Sequence, residues 1–355
     1  MRSTTKLSHL ALLLAAAVPL AACVAQDEPG DDAPFDDSTE EGPGVDAGAD
    51  DDDVDLGETT SELQTGWPVP EGNPLALSTV ALYNCTGVII GKRDVITAAH
   101  CNPLVGQSVW FYDGAEPTGD TRRITSVSLR PGVNPSTQDY TDTSGKFADI
   151  AYLRIDGDIP SGTRAARLPL LYPGNNIQGF RVGTGMHGGD NPTRTMHYDN
   201  GKTYSDHIND GHFLLEEADT DGGDSGGPFY LWRDNGAGFA YEVQGVLYGK
   251  VWEWAYRNKY TSTRHHLSFL VDRLYADPAD RMSWRGGAQR HFGTALQNVF
   301  LPDENRNVCA QVCKQRTDCV GVNYQPRSGN DLCQLMRTIT YTGAYTGYQA
   351  ADRVR

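Results

Sequence analysis

The chain has 355 residues and a formal net charge of −16, from 30 Lys plus Arg against 46 Asp plus Glu. That length leaves room for two folded domains, and the composition offers no basic patch of the kind that nucleic acid requires. The charge is unevenly placed: residues 24–62 hold 16 Asp plus Glu and no Lys, Arg or His, so residues 63–355 carry only −2. Rich in Asp, Gly and Pro, the acidic segment buries too little apolar surface to fold, and its self-repulsion extends it. As a flexible coil it would span roughly 35 Å, and more when charge stretches it.

Ahead of this segment, Arg2 and Lys6 precede an apolar run from Leu10 to Ala22, the pattern of an export signal and too short for a comfortable membrane span. Leu20-Ala21-Ala22-Cys23 resembles the bacterial lipobox, in which the cysteine is lipidated and becomes the first mature residue. The expected order is therefore a signal peptide over 1–22 and a lipid-anchored acidic linker over 23–64. The protein would be exported, held at the membrane through Cys23 in the cell envelope, or found outside the cell once released.

Between about 65 and 285, short runs such as Val88-Ile89-Ile90, Val109-Trp110-Phe111-Tyr112 and Ile124-Thr125-Ser126-Val127 are punctuated by Gly, Pro, Asn and Asp. That is the look of an all-β fold. Leu267, Leu270, Val271 and Leu274 instead fall at helical spacing. Three motifs stand within this stretch: Thr97-Ala98-Ala99-His100-Cys101, Phe147-Ala148-Asp149-Ile150-Ala151-Tyr152-Leu153 and Gly223-Asp224-Ser225-Gly226-Gly227-Pro228. A serine hydroxyl is a poor nucleophile at neutral pH and needs a base within hydrogen-bond reach, a part that histidine fills. His100 reads as that base, Asp149 as the acid that holds its tautomer, and Ser225 as the nucleophile. Backbone N–H groups of Gly223 and Ser225 read as an oxyanion hole.

Together the three motifs, in this order, resemble the trypsin/chymotrypsin-type serine peptidases over about residues 65–285. The resemblance implies two six-stranded β-barrels, with His100 and Asp149 from the first, Ser225 from the second, and a peptide or protein substrate in the cleft between them. It extends to Cys85-Thr86-Gly87-Val88-Ile89-Ile90, which places Cys85 to pair with Cys101, and to Gly245-Val246-Leu247-Tyr248-Gly249, similar to the strand bordering the family's cleft. By the same resemblance Asp219 matches the acid at the base of a trypsin-like primary pocket, which implies cleavage after Arg or Lys. The run from Asp219-Thr220 to Pro228 is equally similar to that of bacterial V8-like glutamyl peptidases, where the acid does not read a basic side chain. Asp221 stands where trypsin-like members have a cysteine. Asp224 matches the acid that pairs with a freed α-amino group on activation. No Lys or Arg lies between Lys6 and Lys92, so a cut after a basic residue just upstream of the domain is excluded. A non-basic cut near Glu58 or Glu62, or a side-chain cation in place of the amine, remains.

No metal or other cofactor is expected. An EF-hand starting at Asp219 would need Gly at Asp224 and Glu at Tyr230, and no His-Glu-x-x-His run occurs. The last four cysteines, Cys309, Cys313, Cys319 and Cys333, form an even set in an exported chain, as in a disulfide framework. Cys309 and Cys313 share one face if their segment is helical, and Cys319–Tyr324 and Leu332–Met336 read as short strands. Four cysteines permit three pairings. The pattern over 290–355 resembles a PAN/apple domain, an α+β module in which nested bonds would join Cys309 to Cys333 and Cys313 to Cys319. That resemblance implies a protein or carbohydrate ligand, whereas zinc is disfavoured because paired Cys-x2-Cys knuckles are absent. The function expected is endopeptidase, with a non-catalytic adhesin on the same fold and an esterase as the alternatives.

Overall fold

The computed structural model describes residues 66–185, 195–216, 220, 222–234, 239–276, 281–301 and 305–353. Cys23, Asp219 and Asp221 lie outside the described residues. The first strand, β1 (Trp67–Pro68), and a helical turn, α1 (Pro74–Leu77), lead into a closed antiparallel barrel. Its strands are β2 (Thr79–Leu82), β3 (Cys85–Gly91), β4 (Asp94–Thr97), β5 (Ser108–Tyr112), β6 (Pro117–Leu129) and β7 (Ala151–Ile155), in the order β2-β3-β4-β7-β6-β5.

The apolar runs on β2, β3, β4 and β7 are continuous because both faces are buried. Val80, Leu82, Ile89, Val95, Phe111 and Leu153 fill the barrel. Their sequence neighbours Ala81, Val88, Ile90, Ile96 and Tyr152 point the other way, into a core shared with the rest of the molecule. A period of two thus divides β2, β3, β4, β5 and β7 between two cores.

The second barrel is built from β8 (Gln178–Gly183), β9 (His197–His207), β10 (His212–Leu215), β11 (Pro228–Asp234), β12 (Phe239–Glu253) and β13 (Ala255–Ser262). They run β9-β10-β13-β12-β11-β8, and a β8–β9 pairing closes the ring, with β1 added on β9. Phe213, Phe229 and Tyr260 pack inside, the rings of Phe213 and Tyr260 stacked at 5.4 Å. The fold is therefore mostly β with two six-stranded barrels, as the sequence implies.

Helix α2 (Leu267–Leu274) buries Leu267, Leu270, Val271 and Leu274, the four residues read at helical spacing. It also carries the chain into a second layer of structure. Strands β14 (Ser283–Trp284), β16 (Ala295–Leu301), β17 (Gly321–Gln325), β18 (Asp331–Met336) and β20 (Gln349–Asp352) form one antiparallel sheet, ordered β14-β20-β17-β18-β16. Strands β15 (Gln289–Phe292) and β19 (Tyr341–Ala344) pair separately, and α3 (Arg306–Lys314) covers the sheet. This sheet takes in Ser283–Trp284, ahead of the boundary expected at 290.

Cys309 bonds Cys333 from α3 to β18, and Cys313 bonds Cys319. In the chain-entropy picture, loops of these lengths contribute about 3.5 and about 2.4 kcal/mol. The small sheet does not rely on staples alone. Its core, through Val308, Cys309, Val322 and Leu335, is continuous with Leu270 and Leu274 of α2. Asn305 and Asn307 both donate to Asp272 Oδ1 on α2, at 3.0 and 3.2 Å.

Candidate active site

Strand β4 ends at Thr97, whose hydroxyl donates to Thr86 O at 2.7 Å, and a single 3-10 turn over Ala99–Cys101 then carries His100 out of the barrel. Asn102 closes that turn in the left-handed region at φ 46°, which a short polar side chain tolerates better than most. Cys101 bonds Cys85 at the start of β3, so the turn is fixed covalently as well.

Asp149, fully buried just before β7, grips His100 twice. Its Oδ2 lies 2.7 Å from His100 Nδ1, and its Oδ1 accepts from the His100 backbone N–H at 2.8 Å. A carboxylate only accepts, so Nδ1 carries the ring proton and Nε2 is left with a free lone pair. The chain running from β13 into α2 braces the Asp149 segment. Thr261 Oγ1 donates to Asp149 O at 3.0 Å, and His266 Nε2 to Phe147 O at 2.9 Å. Tyr248 meets the His100 ring edge-on at 5.5 Å and Tyr140 does so at 6.2 Å, which gives the imidazole aromatic walls.

The Ser225 loop is tied to both barrels. Thr86 N donates to Ser225 O at 2.8 Å, Thr86 Oγ1 donates to Gly223 O at 2.9 Å, and Thr184 N donates to Thr86 Oγ1 at 3.0 Å. On the other side Gly226 N donates to Leu247 O at 2.8 Å, and Leu247 N to Gly227 O at 2.9 Å. Gly223 and Gly226 adopt φ of 94° and 78°, which only glycine takes at little cost. Among the described residues the N–H groups of Gly223 and Ser225 have no acceptor. They are the two donors assigned to an oxyanion. Asp224, buried to 1% exposure, turns away from them and accepts from Gly185 N at 2.9 Å.

A family model described as Trypsin matches residues 72–265, more than half of the chain. The chain belongs to the trypsin family. No curated protein matches the sequence. Among solved structures, mouse neuropsin, a serine protease expressed in the limbic system of the brain, is similar at 20% identity and a TM-score of 0.45, over 59% of this chain and 98% of that one. Membership of the trypsin family makes the protein a serine protease hydrolase acting on peptide or protein substrates.

Several polar residues of this trypsin-family site have no role in the motif reading. Thr86, Thr184, Thr261 and His266 are all buried: Thr86, Thr261 and His266 each donate to a backbone carbonyl of the site, and Thr184 holds the Thr86 hydroxyl. Asn258 is a fifth: Thr220 Oγ1 donates to its Oδ1 at 2.7 Å, while its Nδ2 is buried with no partner among the described residues. Their signal in the sequence is a polar residue inside an apolar run, visible at Thr86 but silent about the partner. Ligand atoms of Cys85, His100 and Cys101 lie within 4.8 Å of one another. Both sulfurs are in a disulfide, which leaves one nitrogen as donor and does not fit a metal.

The tight seat of the serine loop gives a direct test. A Cβ on Gly226 would come 2.1 Å from Thr97 Oγ1 and 2.4 Å from Thr86 O, whereas one on Gly222 meets nothing within 4 Å. Gly226→Ala is expected to lower peptide turnover about a hundredfold or more, because small displacements of reacting groups cost that much. Gly222→Ala should stay near the parent rate in the same assay.

Proposed function

We propose that the protein is an exported serine endopeptidase in which Ser225 attacks the scissile carbonyl and His100 takes its proton. Asp149 steadies the imidazolium, and the Gly223 and Ser225 N–H groups receive the oxyanion. The observation that carries this reading is the double grip of Asp149 on His100, at 2.7 and 2.8 Å, beside a serine loop whose Gly223 and Ser225 N–H groups have no acceptor among the described residues. A fluorophosphonate probe tests it, since only an activated serine reacts. Labelling that maps to Ser225 is expected; an unlabelled, folded chain would favour the adhesin. Turnover of esters without peptides would favour the esterase.

For specificity, cleavage after Arg or Lys through Asp219 is the first proposal, resting on family likeness. A second reading has one observation in its favour. Asn258, whose buried Nδ2 has no partner among the described residues, stands opposite Lys250 in the β12–β13 register, a donor and a cation suited to an acidic or amide side chain. A positional peptide library separates the two: enrichment of Arg and Lys at the cleaved residue supports Asp219, and enrichment of Glu or Gln supports Asn258.

The export signal, lipidation at Cys23 and placement in the cell envelope complete the proposal, supported by the residue pattern of 1–23. For activation, Trp67–Pro68 pairs with His197–Tyr198, and those pair with Val182–Gly183, against which Asp224 packs. A new α-amino group made by a cut near Glu58 or Glu62 would thus enter beside the strands that flank Asp224. An active soluble form that begins between about residues 55 and 75 supports this route; full activity with lipidated Cys23 still in place rejects it.

A further inference from the structure

We propose that the tip of the β12–β13 hairpin, through Trp252, Trp254 and Tyr256, enters the headgroup layer of a lipid bilayer and holds the folded domain against it. This does not depend on the chemistry of Ser225, and it draws on the proposed lipidation of Cys23 only for what keeps a bilayer within reach.

Strand β11 stops pairing with β12 at Val246, and β10 stops pairing with β13 at Asn258. Among the described residues, the two strands therefore pair only with each other from Val251 to Arg257. At about 3.3 Å per residue the turn stands about 13 Å beyond Asn258. Trp252 lies opposite Tyr256, the two rings edge to face at 5.0 Å, and Trp254 makes the turn. Their exposures are 68%, 63% and 94%, the last the greatest of any large apolar side chain described.

Two costs meet at Trp254. Its φ is 56°, a left-handed conformation that Gly, Asn or Asp adopts with little strain and a bulky side chain does not. Its indole also stands almost wholly in water. A turn shaped for stability alone would carry neither burden, and strain held in this way points to a use for the projecting ring.

The tip fits a bilayer better than a protein. Trp252 and Tyr256, as a cross-strand pair, share one face, and Trp254 lies past them at a convex end. Protein partners bury large side chains in fitted pockets, and a single flat partner would cover the face or the end. A fluid headgroup layer closes round all three. Each ring is apolar and carries an N–H or O–H that still needs a partner, a pair of demands met at the boundary between lipid and water. No Leu, Ile, Met or Phe occurs from 251 to 257, and residue 253 is a glutamate, a charge that is costly in the acyl core and inexpensive among headgroups. The chain ahead of the domain then decides which surface is always present. A lipidated Cys23 keeps the bilayer within the roughly 35 Å span of the acidic linker, and a weak second contact becomes intramolecular and lasting. Tyr248, which meets His100 edge-on, lies six residues before Trp254 on the same hairpin, so the cleft would stand within about 20 Å of the headgroups.

The test uses residues 24–355, which contain every described residue and lack the anchor, with phosphatidylcholine vesicles brominated near the headgroup end of the acyl chains. Co-sedimentation that persists at high salt, together with quenching of tryptophan fluorescence, is expected, because no ion pair carries the contact. Trp254→Gly should weaken binding about tenfold or more, since most of an indole no longer leaves water. Its urea midpoint should equal or exceed the parent's, because glycine relieves the left-handed strain, and its hydrolysis of a short peptide should be unchanged. Absence of parent binding, or equal binding by Trp254→Gly, would overturn the proposal. A raised KM for a folded protein substrate, or a lost dimer, in a Trp254→Gly protein that still binds vesicles would overturn it in favour of a protein partner or a second copy. Lipidation is read separately, from the mass of the N-terminal residue of the full chain, so its failure leaves the vesicle result standing.

Discussion

Replacing Ser225 or His100 by Ala is expected to abolish nearly all peptide hydrolysis without disturbing the fold. Asp149→Asn should cost about 10⁴-fold in kcat, the size of effect that a wrong imidazole tautomer has in a serine-peptidase triad. The reason is visible in the two bonds to His100. An amide at position 149 would offer N–H where the ring now finds an acceptor at 2.7 Å, so the proton would shift to Nε2 and remove the base from Ser225. The backbone bond from His100 N to Oδ1 at 2.8 Å should persist and keep the turn in place. Urea midpoints within experimental error of the parent, together with the lost turnover, are the expected pair of results. Near-parent hydrolysis by Ser225→Ala would end the assignment of the nucleophile.

Acidification from pH 6.5 towards pH 3 is expected to remove several kcal/mol of stability, on the order set by the shifts of two buried histidines. Burial, with the neighbouring His265, lowers His266 to about 3; Arg130 acts in the same direction, and Phe147 O and Asp142 oppose it. Burial, Lys259 and His207 lower His212 to about 4, against Asp210. Both rings are therefore neutral in the folded chain while the unfolded chain takes up protons near pH 6.5. The stabilisation is complete above pH 6.5 and is lost as pH falls through about 4 for His212 and about 3 for His266. His212 keeps some solvent contact, so the larger share is assigned to His266.

A third group acts only at lower pH. Burial alone would raise the Asp142 carboxyl, but donors from Ser144, Arg130 and Lys146 outweigh it and hold the group below the usual carboxylate range. Its contribution shrinks below about pH 4, where the unfolded carboxyl begins to protonate. Urea midpoints between pH 7.5 and 4 measure the histidine effect. His266→Gln keeps an amide donor for Phe147 O but cannot titrate, and should flatten the slope. A slope unchanged by that substitution would remove His266 from the account. The same loss should disable catalysis early, since His266 holds the carbonyl two residues before Asp149.

Much of this protein was legible before any coordinates. The serine loop announces itself because tight turns with φ above 0° need Gly223 and Gly226, and those glycines flank the residue proposed as nucleophile. The strands of the first barrel were readable as β, since β-branched runs such as Val88-Ile89-Ile90 suit a pleat buried on both faces. The four apolar positions of α2 fixed its buried face through spacing alone. What stayed hidden has a common cause: it depends on atoms brought together from distant parts of the chain.

Thr86 reads as one more residue of an apolar strand, and only the meeting of the barrels, 137 residues apart in the chain, makes its hydroxyl the clamp on Gly223. Arg290 reads as an ordinary surface cation until Tyr345 and Tyr348 fold back over it. The boundary near 290 was similarly beyond reach, because a two-residue strand at Ser283–Trp284 has no periodicity and acquires its identity from pairing with Ala351 and Asp352. The sequence by itself determined which residues have the chemistry and which local conformations they require, through side-chain type, glycine placement and spacing. Only the tertiary structure decided how His100 is oriented and which N–H groups have no acceptor among the described residues, because hydrogen bonds and desolvation depend on distances of a few ångströms between segments that share no local pattern.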